Sequence, residues 1–388
     1  MSVGDLDNLN SSQQEALGKL MTSLSDVTLP ERDERYFLRW LRAVKFDVHK
    51  AEDRLRKHAE LRKELGADTI LTDWTPPEVL TKYAPTGLFG EDRDGHPVYY
   101  DGFGNLDMKG LFKSCKQDDL RKLKIMHAEL CIAKMKEFSA KKGKRIETLT
   151  CVVDLENLSL QRHYYWPGIK LVMLTAQHYP GIENHIIFIK APRVFPFAFG
   201  IVKHLIDETK QSKFVLLGAN WREEILQYIS PEQLPQVYGG TRCEPDPACS
   251  NFINMGGDVP PEYYLTNSTQ TNKEDMERLV VSRGSSHNLE FPVEIPGTSI
   301  RWELITIDHD IGFGWFQKFE AAANDLSELI PVKRTNSHVV PERGVLQCSS
   351  PGIYVMKFDN SYSWTRSKEV YYSVKMDPPD SEPRGQEV

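Results

Sequence analysis

Length, composition and charge exclude several classes of protein for this chain. Its 388 residues are 40% apolar, which predicts two or three globular domains rather than a disordered chain. No apolar run approaches the roughly 20 residues that span a bilayer, and the polar first residues do not form a signal peptide. We therefore expect a cytoplasmic protein whose contact with membranes is peripheral.

The first segment, residues 1–74, has the pattern of a helical domain. Tyr36 and Trp40 stand at helical spacing in ERYFLRWLRA, with arginines on the other face. Asp47 suits the N-cap of the following helix, which Gly66 is expected to end. Nothing in this segment predicts a reactive site.

The second segment, residues 75–243, alternates strands with helices. Its strands after the first are apolar along their whole length, which indicates burial on both faces and an α/β sheet that is at least partly parallel. The strands are predicted at Pro97–Asp101, Thr148–Asp154, His185–Lys190 and Lys213–Gly218.

A basic helix is predicted at about Ser114–Lys142, within a stretch, Lys109–Arg145, whose net charge is about +8. One interpretation is a solvated helix surface. The other is a patch that meets anionic lipid headgroups, for which Arg121, Lys122 and Lys124 are the candidates. Nucleic-acid binding is disfavoured because the basic residues are not interleaved with aromatic ones.

A second helix in this segment, RVFPFAFGIVKHLI at Arg193–Ile206, is apolar almost all round. Such a helix is either buried in a core or spends part of its time in another apolar environment. It is too short to span a bilayer.

The third segment, residues 244–377, predicts a β-sandwich and carries about nine excess negative charges up to the C-terminus. SIRWELITI alternates Ile300, Trp302 and Leu304 with polar residues, and a turn at Asp308 leads into IGFGWFQKF, interpreted as its partner strand. Residues 378–388 are rich in proline and charge and predict a disordered tail.

The common signatures of catalysis are absent from the sequence. There is no GxSxG, P-loop or HExxH motif, and Asp107 stands where a dinucleotide loop beginning at Gly102 needs its third glycine. The six cysteines form no CxxC pair, which predicts free thiols and no metal site. Asp154, at the end of a buried strand, is interpreted as a cap of the next turn. We therefore expect no enzyme activity, no catalytic residues and no cofactor.

Several long motifs resemble those of one family. LRWLRAVKFDVHKAE is similar to the helical leader of CRAL-TRIO lipid-binding proteins, and DGHPVYYDGFGNLD, CVVDLENLSL, HYPGIENHIIFIKAPRVFPFAFGIVKHLI and LPQVYGG resemble successive landmarks of the CRAL-TRIO domain. GDVPPEYY, VSRGSSHNLEF and GIYVMKFDNSYSW look like a C-terminal GOLD domain. The combination resembles the Sec-fourteen-like proteins of the supernatant protein factor (tocopherol-associated protein) type.

The resemblance implies a lipid pocket between a mixed sheet and a mobile gate helix. The gate corresponds to the apolar helix, with Phe195, Phe197, Phe199, Val202, Leu205 and Ile206 as its apolar residues. The lipid-binding residues that it implies are Tyr99, Leu149, Cys151, Val153, Ile187, Ile189 and Lys213. The implied partners are a hydrophobic lipid, a membrane in transient contact, and a membrane or protein partner of the GOLD domain.

Departures from the family pattern bear on the ligand. Phosphatidylinositol-transfer members have a glutamate after the Tyr-Pro pair where this chain has Gly181, although Glu183 is an alternative match. Lys213 matches their headgroup lysine. Choline-binding members have hydroxyl side chains where Leu149 and Cys151 stand, so these residues predict an apolar wall with Val153. The expected ligand is a neutral isoprenoid such as a tocopherol or a squalene-like lipid; the alternatives are phosphatidylinositol or phosphatidylcholine transfer and a lipid-sensing adaptor that regulates a signalling or trafficking partner.

Overall fold

The computed structural model describes residues 6, 9–159, 166–192, 195, 213–265, 276–318, 326–338 and 341–379. The chain divides into two compact units, Met1–Tyr263 and Tyr264–Val388. The first unit extends beyond the predicted boundary at Cys243, because the backbone of Asn254 donates to Thr86 O at 3.0 Å and that of Val259 to Asp107 Oδ2 at 3.1 Å. Of the predicted tail, residues 380–388 lie outside the described part of the chain.

The first unit begins with three helices that pack on one another: α1 (Ser11–Ser23), α2 (Glu34–Ala43) and α3 (Val48–Leu65). Asp47 caps α3 by accepting from Lys50 N, and α3 ends at Gly66 in the left-handed region (φ 66°), so both predictions are confirmed. The core of this helical leader includes Leu20, Phe37, Trp40, Leu41 and Leu55.

The α/β part of the first unit has a five-stranded sheet in the order β1-β2-β3-β4-β5. β1 is antiparallel to β2, and the other neighbouring pairs are parallel, as the prediction of a mixed sheet requires. The strands are β1 (Thr86–Glu91), β2 (Pro97–Asp101), β3 (Leu149–Asp154), β4 (Glu183–Ile189) and β5 (Phe214–Leu216). The helices are α4 (Ile70–Asp73), α5 (Glu78–Tyr83), α6 (Met108–Ser114), α7 (Gln117–Lys142), α8 (Trp166–His178) and α9 (Trp221–Glu224).

Each face of this sheet packs against a different core, which explains why its strands are apolar throughout. Helix α7 covers one face, where Ile125, Ala128 and Met135 pack with Leu149. On the opposite face Val152 packs with the segment that follows β5, which contributes Trp221, Ile225, Ile229, Leu234 and Tyr238.

The second unit is a pair of four-stranded antiparallel sheets, ordered β10-β9-β12-β7 and β11-β8-β13-β6. Its strands are β6 (Glu277–Val281), β7 (Ser286–Val293), β8 (Ser299–Thr306), β9 (Ile311–Lys318), β10 (Leu326–Thr335), β11 (Glu342–Gln347), β12 (Gly352–Asp359) and β13 (Lys368–Asp377). The predicted β-sandwich is confirmed.

The predicted pairing of β8 with β9 is wrong, because the two strands belong to different sheets. Both alternate inward and outward residues, and each contributes its inward side to the shared core: Ile300, Trp302 and Leu304 come from β8, and Phe313 and Trp315 from β9. The turn between them therefore crosses from one sheet to the other.

None of the helices in the described ranges has both the length and the apolar composition that a transmembrane span needs.

Candidate functional site

The face of the mixed sheet that α7 partly covers carries most of the predicted lipid-binding residues. Tyr99 on β2 is the register partner of Cys151 on β3, which is in turn the partner of Ile186 on β4. Val153 is the partner of Phe188 in the same way. Because register partners in a parallel sheet point to the same side, these five side chains form one surface, which we call the inner face.

The inner face is apolar but not fully packed. Leu149 at its beginning is buried under α7, whereas Tyr99, Cys151, Val153, Ile186 and Phe188 keep part of their accessible surface. Side chains that lie within a fold and still retain accessible area are what the wall of a ligand compartment requires.

Ile187 and Ile189 lie on the opposite face of the sheet, so their assignment to the pocket wall is wrong. Both are completely buried, in the core that contains Val98, Tyr100 and Val152. Since side chains alternate along a strand, the residues of β4 that share the inner face are Ile186 and Phe188. A strand that is apolar at every position gives no signal of which set faces the pocket, so the sequence could not decide between them.

Burial keeps the thiols and the phenol at the inner face neutral. It raises the pKa of the Cys151 thiol well above its ordinary value and that of Cys131 on α7 to about 12. Burial likewise raises the pKa of the Tyr99 phenol well above its usual range. Neutral thiols behave as small apolar groups, so Cys151 presents a lipid-compatible surface.

One residue of the predicted gate is described, and it packs at the end of the inner face. The ring centre of Phe195 lies 5.3 Å from that of Phe188, which stacks at 6.0 Å on Phe214 of β5. Phe195 is 9% exposed. The other gate residues lie outside the described residues: Phe197, Phe199, Val202, Leu205 and Ile206.

Lys213 makes two hydrogen-bond contacts with β4 at the edge of the sheet. Its Nζ donates to the backbone carbonyl of Glu183, and its own carbonyl accepts from Ile186 N at 2.9 Å, which extends the pairing of β4 with β5. The contact with Glu183 O joins the two strand ends and gives Lys213 a structural task in addition to any contact with a ligand.

The backbone conformation that follows the Tyr-Pro pair favours a glycine at position 181. Gly181 has φ 75°, a left-handed conformation that a glutamate would adopt only at a cost of about 1 kcal/mol. Glu183 opens β4 as the register partner of Leu149, which places it at the beginning of the inner face. Its charge contributes to the raised pKa values of Cys131 and Cys151. Glu183 therefore remains the alternative match to the family's glutamate.

The three basic residues proposed for a membrane patch do not form one. The Arg121 guanidinium binds the carboxylates of Glu64 at 3.0 Å and Asp118 at 2.8 Å, and Lys122 Nζ lies 6.0 Å from the ring centre of Trp74. Lys124 is partly buried on the side of α7 that faces the sheet. Successive helical positions turn by 100°, so neighbours in sequence point in different directions.

Two carboxylate clusters have structural roles. Asp154 Oδ1 accepts from Glu156 N at 2.9 Å, which confirms its predicted role as a turn cap, and its other oxygen binds Lys190 Nζ at 2.9 Å. Asp92 lies with Asp94 and His96 in an arrangement that a metal ion could share. The oxygens of Asp92 already accept hydrogen bonds from the backbone of Asp94 and His96 and from Thr150 Oγ1 at 2.7 Å. These hydrogen bonds stabilise the turn that contains the cluster.

Comparison with protein-family models matches residues 81–240 to the CRAL/TRIO domain and residues 317–377 to the Golgi-dynamics membrane-trafficking (GOLD) model. The chain is 29% identical to Protein ctg-1 of Caenorhabditis elegans over 89% of its own length and 92% of that protein. It is 31% identical to Protein real-time of Aedes aegypti over 74% of its own length, and spans less than half of that longer protein. The crystal structure of Sfh5 shares the fold, with a TM-score of 0.50 and 19% identity over 70% of this chain and the whole of that one.

Proposed function

Since the chain belongs to the CRAL-TRIO family and carries a GOLD domain, we propose that it binds one hydrophobic lipid against the inner face and exchanges it at membranes. The observation that carries this proposal is the row of partly accessible apolar side chains from Tyr99 to Phe188, with Phe195 packed at its end. Proteins with this domain bind and transfer lipids and are generally not enzymes, and no cofactor is needed for that activity.

Physical chemistry explains why exchange would occur at a membrane. Removing a lipid of about 20 carbons from water gains on the order of 0.8 kcal/mol per methylene, so release into water is strongly disfavoured. Opening of the predicted gate at a bilayer interface would avoid this cost, because the lipid passes from one apolar environment to another. We expect the protein to be cytoplasmic and to bind membranes peripherally during this step.

For the class of ligand, a neutral isoprenoid is favoured over a phospholipid. Leu149 and Cys151 replace the hydroxyl side chains of choline-binding members, and Gly181 stands where phosphatidylinositol-transfer members have a glutamate. These replacements remove groups that would hold a phospholipid headgroup. A lipid-sensing role, in which the GOLD domain contacts a trafficking or signalling partner, is the second candidate, supported by the membrane-trafficking description of the matching model.

The test is native mass spectrometry with lipid extraction on protein purified from a eukaryotic host. We expect a co-purified neutral isoprenoid, and loss of most of it in Cys151→Trp, because the larger ring fills the space beside Val153 and Ile186. The same substitution at Cys243, which is exposed, serves as the control. Equal lipid content in both variants would contradict the proposal, and recovery of phosphatidylinositol or phosphatidylcholine would contradict the ligand class.

A further inference from the structure

A carboxylate lies at the end of the inner face, among apolar residues. Asp101 is the last residue of β2 and the register partner of Val153, so it points to the same side of the sheet as Tyr99 two residues earlier. The side chain is partly accessible, and the burial of its carboxyl raises the pKa above the ordinary value. A buried carboxyl in an apolar compartment is costly unless something binds it.

Lys124 supplies the opposite charge from the helix above. Helix α7 connects the parallel strands β2 and β3, so it runs back over them and its first turns lie over their carboxyl ends. Thr86, the β1 neighbour of Asp101, has its Oγ1 3.3 Å from His127 Nε2, and Lys124 lies one turn before His127. The charge of Lys124 lowers the pKa of both Asp101 and His127, in agreement with this placement.

The side chains of Asp101 and Lys124 do not form a close ion pair with each other. Among the residues that the structure describes, neither Asp101 nor Lys124 takes part in a side-chain hydrogen bond or a close ion pair. Both retain some accessible surface. A small polar group of a ligand that reaches the end of the inner face could therefore contact both side chains.

The chemistry of these two side chains favours a hydroxyl group. A hydroxyl donates one hydrogen bond and accepts others, so it satisfies a carboxylate and an ammonium at the same time. A phosphate would gain one cation here and be repelled by the carboxylate, whereas a hydrocarbon would leave both charged groups without a partner.

We propose that Asp101 and Lys124 bind the hydroxyl group of an otherwise apolar lipid, so that the ligand is an isoprenoid-type alcohol rather than a hydrocarbon or a phospholipid. This inference rests on the proposed lipid binding and narrows its ligand class. It also replaces the expectation of a pocket without polar anchors.

The experiment compares three C20 isoprenoid probes with different polar ends: phytol, phytyl methyl ether and the hydrocarbon phytane, which also lacks the double bond of phytol. Delipidated full-length protein is titrated with each. We expect phytol to bind about tenfold more tightly than phytane, because one hydrogen bond to a charged group contributes about that factor. The methyl ether should bind more weakly than phytol because it has no proton to donate to Asp101.

The matched variant is the double substitution Asp101→Leu with Lys124→Met, which removes both charges together and avoids leaving one unpaired. We expect its preference for phytol to fall to about twofold or less while phytane binding is kept. Lys141→Met, on the exposed part of the same helix, is the control and should behave as wild type.

Equal binding of the three probes by the wild-type protein would overturn this inference and leave the proposed lipid binding standing. So would tighter binding of phosphatidylcholine vesicle lipid than of phytol, or a phytol preference that survives in the double variant. If the double variant does not fold, the comparison of phytol with its methyl ether on wild-type protein decides. Absence of binding to all of the probes would overturn both the inference and the proposed function.

Discussion

Gly104 lies where the turn after β2 passes the turn after β3. A Cβ at this position would stand within 2 Å of the carbonyl oxygen of Glu156, so the two backbones approach more closely than any side chain permits. In the sequence this glycine belongs to an incomplete phosphate-binding pattern, and the structure gives it a packing role instead. The contact holds the carboxyl ends of β2 and β3 together, and with them Asp101 and Val153 of the inner face.

We expect Gly104→Ala to lower the free energy of unfolding of the first unit by about 1 to 3 kcal/mol, because the backbone of one turn must move. Gly218→Ala is the control, since nothing lies within 4 Å of its Cβ position. Urea denaturation followed by circular dichroism measures both variants. A Gly104→Ala protein as stable as the control would mean that the turns separate without cost.

Between elements, a cluster of polar residues, which we call the polar seam, connects the helical leader to the α/β part of the first unit. The guanidinium of Arg62 on α3, which is 6% exposed, binds Glu129 of α7 and Asp68, and Tyr179 Oη donates to Glu129 at 2.7 Å. The seam also surrounds a cavity of about 50 Å³, large enough for water.

Removing one partner of this pair should be costly. Glu129→Leu leaves the Arg62 charge buried with only the exposed Asp68 as counterion, and we expect a loss of about 3 kcal/mol in the free energy of unfolding. Glu137→Leu on the same helix is the matched control, because its ion pair with Lys134 is exposed and should contribute less than about 1 kcal/mol. Similar stabilities of the two variants would show that the Arg62–Glu129 pair does not hold the leader.

A buried histidine in the polar seam makes the free energy of unfolding depend on pH. Burial and the nearby charge of Arg62 lower the pKa of His58 to about 3, and its ring stacks on that of His178 at 5.7 Å. The unfolded chain binds a proton below about pH 6.5 and the folded chain does not, so stability is full above that pH and decreases as the pH falls towards 3, by about 1.4 kcal/mol per unit.

His58→Phe keeps a ring of similar size without the titrating nitrogen. We expect its stability to fall less steeply than that of the wild-type protein between pH 6 and pH 4.5, as measured by chemical denaturation at each pH. If the free energy of unfolding fell with pH at the same slope in both proteins, His58 would not be the source of the acid sensitivity.

At this scale the sequence predicts the positions of helices and strands well, but it predicts strand pairing and the direction of side chains less well. Strand positions such as Pro97–Asp101 follow from turn residues and apolar runs, which are local signals. The face to which Ile187 points, and the sheet to which β9 belongs, depend on neighbours distant in sequence. Charge counting likewise identified a basic helix, but the burial of Arg121 and Lys124 is set by the elements packed around α7.

For the whole molecule, the division into two units predicts two separate folding events. Each unit has its own core, and among the described residues that of the second unit is built around Trp315, Trp302, Phe313 and Phe358. Trp315 is completely buried, with its ring centre 5.4 Å from that of Trp302.

Trp315→Ala in the full-length protein should therefore destabilise the second unit by about 3 to 5 kcal/mol and leave the first unit folded. We expect a calorimetric transition to move to lower temperature while the amount of co-purified lipid stays the same. Trp364→Ala is the control in the same unit, because that side chain is 90% exposed and its loss should shift neither transition. Loss of lipid together with the unfolding of the second unit would show that the lipid compartment depends on the β-sandwich, and the two units would then have to be treated as one cooperative structure.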